Sequence, residues 1–221
     1  MCRVFTSWSG GKDSCLACYK AIESGLEVCY LLNMVTEDGK KAWTHGQTAE
    51  VLLKQSQALG IPLVQGRATG ATYEAEFKNT LITLKREKVE GGVFGDIDFE
   101  LHRRWIEGVC GAADIKPYLP LWGQSQEALL RSFIDLGFEA VVVVVRSDLL
   151  GEEWLGRRVD LEFLSYLQAN NISPCGEDGE YHTFVIDGPL FKQRVEILET
   201  RKVLKDGRWF LEILNCELRD K

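Results

Sequence analysis

The sequence predicts an α/β fold, a doubly wound parallel sheet followed by a smaller C-terminal β-rich lobe. Three observations carry this expectation. Short apolar runs alternate with segments of helical periodicity through the first two thirds of the chain. Five consecutive valines, Val141 to Val145, leave one run without a polar face, as in a parallel strand covered on both sides by helices. After about Gly176 the pattern becomes strand-like on both sides of Asp206-Gly207, a dipeptide suited to a tight hairpin turn. The expected division is residues 1–150 for the main domain and 151–221 for the lobe, with no repeat or low-complexity linker between them.

In chain order, "RVFTSW", "EVCYLLNM", "PLVQG", "GGVFGD" and "AVVVVV" read as strands. Between the first two, Cys15, Cys18, Tyr19 and Ile22 share one helical face, so this C-x-x-C spacing reads as core packing rather than a metal site. The "LGIP" at Leu59 to Pro62 closes a helix at Gly60, and Pro62 prevents its continuation. Tyr73, Phe77, Leu81 and Leu84 fall on one face of a further helix, and the spacing of Leu101 and Trp105 points to another.

The chain has 221 residues, of which 45% are hydrophobic and 27% charged, a balance that supports a sizeable core in a soluble globular protein. Its formal net charge of -7 opposes binding to a polyanion such as DNA or tRNA. No apolar run reaches the roughly 18 residues of a membrane span. The N-terminus lacks a charged-then-apolar leader with a cleavage site, so the cytoplasm is the expected location. Seven irregularly spaced cysteines do not form a disulfide pattern, and reduced thiols are expected.

The loop "SWSGGKDSCL", from Ser7 to Leu16, follows a strand and opens a helix, where backbone N–H groups and the helix dipole favour an anion. Gly10 and Gly11 permit close backbone approach, Lys12 adds positive charge, and Ser9 and Ser14 add hydroxyl donors. Asp13 at the helix start can cap the helix or help hold Mg2+. The spacing differs from G-x-x-x-x-G-K-[ST], because Lys12 directly follows the glycine pair.

Further along, Gly95 and Asp96 end a strand, where α/β sheets bind ligands; Asp96 can take Mg2+ or a ribose hydroxyl, or cap the next helix. Arg103 and Arg104 follow on that helix, within reach of a phosphate or carboxylate, or solvated. His45 precedes a helix after the second strand, at the same expected sheet edge. Glu177, Asp178, Glu180 and His182 crowd into "PCGEDGEYHTFVIDGP", either a solvated acidic loop leading into a strand or a pocket that binds a cationic or amine-bearing substrate or guides ammonia.

The string Ser9 to Ser14 resembles the SGGxDS loop of the N-type ATP pyrophosphatases, which are parallel α/β proteins cleaving ATP between the α and β phosphates. Together with "GDI" at Gly95, "PLWG" at Pro120, "WLGR" at Trp154 and G-E-x-G-E-Y-x-T-F from Gly176, it resembles the diphthine-ammonia ligase family over almost the whole chain. That resemblance implies an ATP- and Mg2+-dependent ligase that adenylates the carboxyl of diphthine on elongation factor 2 and amidates it with ammonia from ammonium.

By the same resemblance, residues 1–150 bind ATP and residues 151–221 the acceptor. Ser9, Gly10, Gly11, Lys12, Asp13 and Ser14 hold phosphates, with Gly95 and Asp96 near the nucleotide, while Asp13 and Asp96 are the candidates for Mg2+ on their chemistry alone. Glu177, Gly179, Glu180, His182 and Thr183 line the acceptor side, and Lys12, Asp13, Glu177 and Glu180 are the catalytic candidates. The "CGEDGEYHTF" form with its flanking "DGP" resembles a subgroup also found in bacteria. The segment "EDGKKAWTHGQ" replaces a longer serine- and methionine-bearing form in relatives acting on diphthine. Two alternatives therefore stay open: the same AMP-forming chemistry on another small carboxylate or a tRNA base, and a nucleotide sensor without turnover.

Overall fold

The computed structural model describes residues 2–43 and 46–221, which form two compact units. The first unit comprises the residues before Gly10 together with Asp13–Trp43 and Ile61–Gly123; the second comprises Gly10–Lys12, the stretch ending at Gly60, and Gln124–Lys221. No helix among the described residues is long and apolar enough to cross a membrane.

In the first unit, β1 (Arg3–Ser7), β2 (Glu27–Thr36), β3 (Leu63–Ala68), β4 (Gly91–Val93) and β5 (Lys116–Tyr118) form a parallel sheet in the order β3-β2-β1-β4-β5. The chain winds outward from β1 through β2 and β3, then returns to β4 on the other side of β1. The carboxyl ends of β1 and β4 therefore flank the topological switch point, the place where such sheets bind ligands.

The helices in chain order are α1 (Lys12–Glu23), α2 (Ala49–Leu59), α3 (Tyr73–Arg86) and α4 (Glu100–Ala112). Phe77, Leu81 and Leu84 of α3 are buried at the expected spacing, in one cluster with Phe5, Leu32 and Phe94. Of the expected face of α4, Trp105 holds: it is half-buried, packs on the core cluster and lies 5.1 Å from the Phe77 ring. Leu101 is corrected. Leu101 is 66% exposed, and Ile106, Val109 and Cys110 are buried in the cluster that Trp105 packs against. Leu101 and Trp105 share helical spacing, and which of the two meets the core is selected by tertiary packing, which a two-residue match cannot register. On α1 the apolar face holds Cys15 and Cys18 but fades at Ile22, which is 36% exposed. Burial pushes the Cys18 thiol up to about 12 and raises Cys15 as well, so both stay protonated.

In the second unit, β6 (Glu139–Arg146), β7 (Tyr181–Asp187), β8 (Gln193–Lys205) and β9 (Arg208–Asp220) form an antiparallel sheet in the order β7-β6-β9-β8. Helices α5 (Gln126–Asp135) and α6 (Leu161–Ala169) also belong to this unit, and α2 packs on β8 and β9. The valines of β6 are buried, but their parallel pairing is a second correction: both neighbours of β6 run antiparallel to it. A run without a polar face reports burial on both sides and carries no information about strand direction. From Gln124 onward the chain belongs to the second unit, so β6 lies there.

Gly60 closes α2 at φ 70° with its N–H on the carbonyls of Ser56 and Gln57, as its place before Pro62 predicts. Asp206 and Gly207 have φ of 51° and 72°, the positive pair that a two-residue hairpin turn requires. Lys205 pairs with Arg208 across that turn.

Candidate active site

The "SGGKDS" loop leaves β1 at the switch point. The Trp8 N–H donates to Leu32 O at 2.7 Å, and the Asn33 amide donates to Trp8 O at 2.7 Å, so the strand exit is tied on its β2 side. Asn33 Oδ1 is buried without a hydrogen-bond partner among the described residues. Ser9 Oγ and Ser14 Oγ lie 3.2 Å apart across the turn, and α1 begins at Lys12 with Asp13 in its first turn. Backbone N–H groups at such a helix start favour a bound anion.

Gly95 follows β4 and abuts the same helix start. A Cβ on Gly95 would lie 2.9 Å from the backbone C and O of Asp13 and 3.0 Å from Ser14 N. Only glycine lets this strand end approach so closely. Asp96 is next in sequence, and its carboxylate lies 3.2 Å from His102 Nδ1. Asp13 and Asp96 supply hard oxygen donors from adjoining backbone segments. This suits Mg2+, which takes one or two carboxylates beside phosphate oxygens.

The "PLWG" segment hooks onto this region through Gly123 N to Ile97 O at 2.8 Å. Arg103 pairs with Glu107 at 3.0 Å and lies over the Trp122 ring, while Arg104 pairs with Glu100 at 3.2 Å. These arginines are thus engaged along their own helix. The "WLGR" segment braces β6, with Gly156 N on Val142 O and Val142 N on Arg157 O, each at 2.9 Å.

The middle of the loop belongs to the second unit and is held by β7. Val185 N donates to Gly10 O at 2.9 Å, and Lys12 N donates to Thr183 Oγ1 at 3.0 Å. Lys12 is only 3% exposed. Its ammonium donates to Cys175 O and lies 4.9 Å from the centroid of the Tyr181 ring. Lys12 therefore directs its charge at the "PCGEDGEYHTF" segment, a placement that sequence spacing alone does not reveal. The cation–π and carbonyl contacts compensate for burying the ammonium.

That segment is a clamped turn. Glu180 is 6% exposed, and its two carboxylate oxygens accept from Ser173 N at 3.2 Å and Asp178 N at 3.0 Å. Charge-assisted bonds of this kind hold a turn more firmly than neutral ones. Gln126 Oε1 accepts from Ser173 Oγ at 2.5 Å and Cys175 N at 3.2 Å, and Tyr181 Oη donates to Pro174 O at 2.5 Å. Gly176 and Gly179 have φ of 71° and 72° within this turn. Glu177 is half-buried at its tip, where its backbone N–H donates to Ser173 Oγ. His45 lies outside the described residues.

His182 follows on β7, paired with Val144. Burial first, then the charges of Lys12 and Arg208, push its imidazole down to about 4. The unfolded chain takes up this proton near pH 6.5 while the folded chain resists it until about pH 4, so stability is full above 6.5 and falls as pH drops through that window. Relative to His182→Asn, the wild-type protein is expected to lose about 2 kcal/mol more stability between pH 7.5 and 4.5, since each tenfold difference in proton affinity between the folded and unfolded chains is worth ~1.4 kcal/mol. Urea unfolding at the two pH values checks this, and parallel curves for both proteins would contradict it.

Two features of this site have no sequence motif. Gln55 on α2 is fully buried, and its amide nitrogen donates to Gly10 O at 3.0 Å and Val185 O at 2.7 Å. Asn33 anchors the exit of β1. A polar residue at a core-facing helix position is the one signal available for Gln55, which follows the buried Val51 and Leu52 of α2 by one turn.

The profile of the diphthamide synthase N-terminal domain matches residues 2–117, and that of the diphthamide synthase C-terminal domain matches residues 125–218. A diphthine–ammonia ligase of Rattus norvegicus is 30% identical, across 98% of this chain and 90% of the relative. The Homo sapiens protein of the same name is 30% identical, across 99% of this chain and 93% of the relative. A solved Methanocaldococcus jannaschii chain, described as a predicted subunit of tRNA methyltransferase, has a TM-score of 0.48 and 16% identity, covering 85% of this chain and 98% of that one.

Proposed function

Because the chain belongs to the diphthamide synthase family, we propose that it is an ATP-dependent amide ligase that converts a carboxylate, that of diphthine on elongation factor 2, into an amide in the cytoplasm. One observation carries the reading most: Gly10 and Lys12, the centre of the nucleotide loop, are hydrogen-bonded to Val185 and Thr183 of the strand that carries the acidic acceptor motif. The names of the relatives, diphthine–ammonia ligases, support diphthine as the acceptor and ammonia as the nitrogen donor.

A carboxylate oxygen attacks the α-phosphorus of ATP, the bond to the bridging oxygen breaks, and pyrophosphate leaves. Ammonia then attacks the acyl carbon, AMP departs with the former carboxylate oxygen, and the nitrogen gives up a proton. Backbone N–H groups of Gly10, Gly11 and the α1 start, with the hydroxyls of Ser9 and Ser14, hold the phosphates. Donors fixed in advance are worth most where charge grows in the transition state. Mg2+, held by Asp13 and Asp96, supplies further neutralisation of the pyrophosphate charge when bound. Gly95 keeps the β4 end against the helix start.

The N-terminal part handles ATP and the C-terminal lobe takes the acceptor. There Glu180 shapes the turn through its two backbone bonds, leaving Glu177 as the carboxylate assigned to receive the ammonium proton. Gly179, His182 and Thr183 line the same acceptor side. His182 is neutral at working pH, so it presents no cation to an incoming ammonium.

The test is incubation with ATP, Mg2+ and ammonium, with and without diphthine-bearing elongation factor 2, followed by identification of nucleotide products and the mass of the modified histidine. AMP and pyrophosphate in step with amidation are expected. AMP without amidation would retain the loop chemistry on a different carboxylate or a tRNA base, and binding without turnover would make the protein a nucleotide sensor.

A further inference from the structure

We infer that Gln55 is a positioning residue that aims the nucleotide loop, acting through the Gly10–Gly11 peptide. This rests on the reading that the loop binds the triphosphate of ATP. The carbonyl of Gly10 accepts from two donors at once, Val185 N at 2.9 Å and Gln55 Nε2 at 3.0 Å. The same Gln55 nitrogen donates to Val185 O at 2.7 Å, so the amide bridges loop and strand. A carbonyl held by two donors has little freedom to rotate.

The peptide is planar and trans, since the described chain contains no cis bond. In such a plane the C=O of Gly10 and the N–H of Gly11 point in opposite directions. Fixing the Gly10 oxygen on Val185 and Gln55 therefore directs the Gly11 N–H away from them. Gly10 sits at φ 80°, and a Cβ there would meet Leu52 Cδ2 at 2.7 Å and Gln55 Oε1 at 2.8 Å. Helix α2 thus presses on the loop where its peptide orientation is decided. Hydrogen-bond strength to an anion falls steeply with misalignment, so a donor aimed in advance binds pyrophosphate better than a rotating one.

Gln55 has a fully buried side chain and no place in the binding machinery assigned above. Gln55→Met keeps length and volume but removes the donor; Gln55→Asn keeps the amide but withdraws it by one methylene. Calorimetric titration of the full-length protein with ATP, pyrophosphate and AMP, in the presence of Mg2+, separates aim from general damage. Both variants are expected to bind ATP and pyrophosphate at least about tenfold more weakly than wild type, with AMP affinity changed less than about threefold, which corresponds to losing one well-aimed donor.

A folded variant that binds pyrophosphate as wild type does would overturn the inference. Equal weakening toward all three ligands would also overturn it, because it would mark a merely structural role. Failure of the wild-type protein itself to bind ATP would instead refute the functional reading on which the inference rests.

Discussion

Gly10→Ala is expected to lower ATP-dependent AMP formation at least about 100-fold, the scale of a loop misplaced by about 1 Å. The residue sits at φ 80°, where a side chain costs about 1–2 kcal/mol. Its Cβ would lie 2.7 Å from Leu52 Cδ2 and 2.8 Å from Gln55 Oε1, both in a packed interior. Overpacking of this kind adds about 1–3 kcal/mol, so the fold is expected to lose roughly 2–5 kcal/mol. Gly207→Ala is the control. Its φ of 72° is similar, but nothing lies within 4 Å of its added Cβ. That variant is expected to lose only the backbone cost of about 1–2 kcal/mol and to keep its turnover. Urea unfolding and chromatographic quantification of AMP check both, and equal turnover in the two alanine variants would remove the special role of Gly10.

Lys12→Met is expected to separate the two halves of the reaction. The substitution preserves the buried stem and removes the ammonium that Cys175 O and the Tyr181 ring hold. Leaving a buried carbonyl without its donor costs about 1–3 kcal/mol and loosens the turn carrying Glu177 and Glu180. Amide formation is expected to fall about 100-fold or more, while ATP affinity shifts less than about threefold, because the phosphates are held by backbone and hydroxyl donors. Titration with ATP alongside acceptor-dependent amide formation distinguishes the outcomes. A tenfold or greater loss of ATP affinity with normal acceptor use would place the ammonium on phosphate instead.

Much of the fold was legible because its signals are local. The Gly60 cap, the Asp206-Gly207 turn and the Phe77, Leu81, Leu84 stripe each depend on a few neighbouring residues, and all three hold. The direction of β6 and the exposure of Leu101 on α4 were not legible, since both are set by partners distant in sequence. The three-residue strands β4 and β5 differ in the same way: "GGVFGD" carries turn signals around an apolar run, whereas Lys116–Tyr118 is too short to show a period.

The candidate site divides along similar lines. A contiguous motif such as Ser9 to Ser14 can be recognised as a string, and Gly95 gains its meaning from a position after a strand. What Lys12 and Glu180 touch could not be read, because a long charged side chain reaches residues that only the fold brings near. Gln55 was invisible for a related reason: its hydrogen bonds run to Gly10 and Val185, which are 45 and 130 positions away.

The central claim is that the acceptor carboxylate becomes an acyl-adenylate. It is tested most directly by preparing diphthine-bearing elongation factor 2 with 18O in the diphthine carboxylate and measuring the mass of the AMP released during amidation. One 18O atom transferred into the AMP phosphate is the expected result, because the carboxylate oxygen that attacked the α-phosphorus leaves with it. Amidation that yields unlabelled AMP would contradict the account.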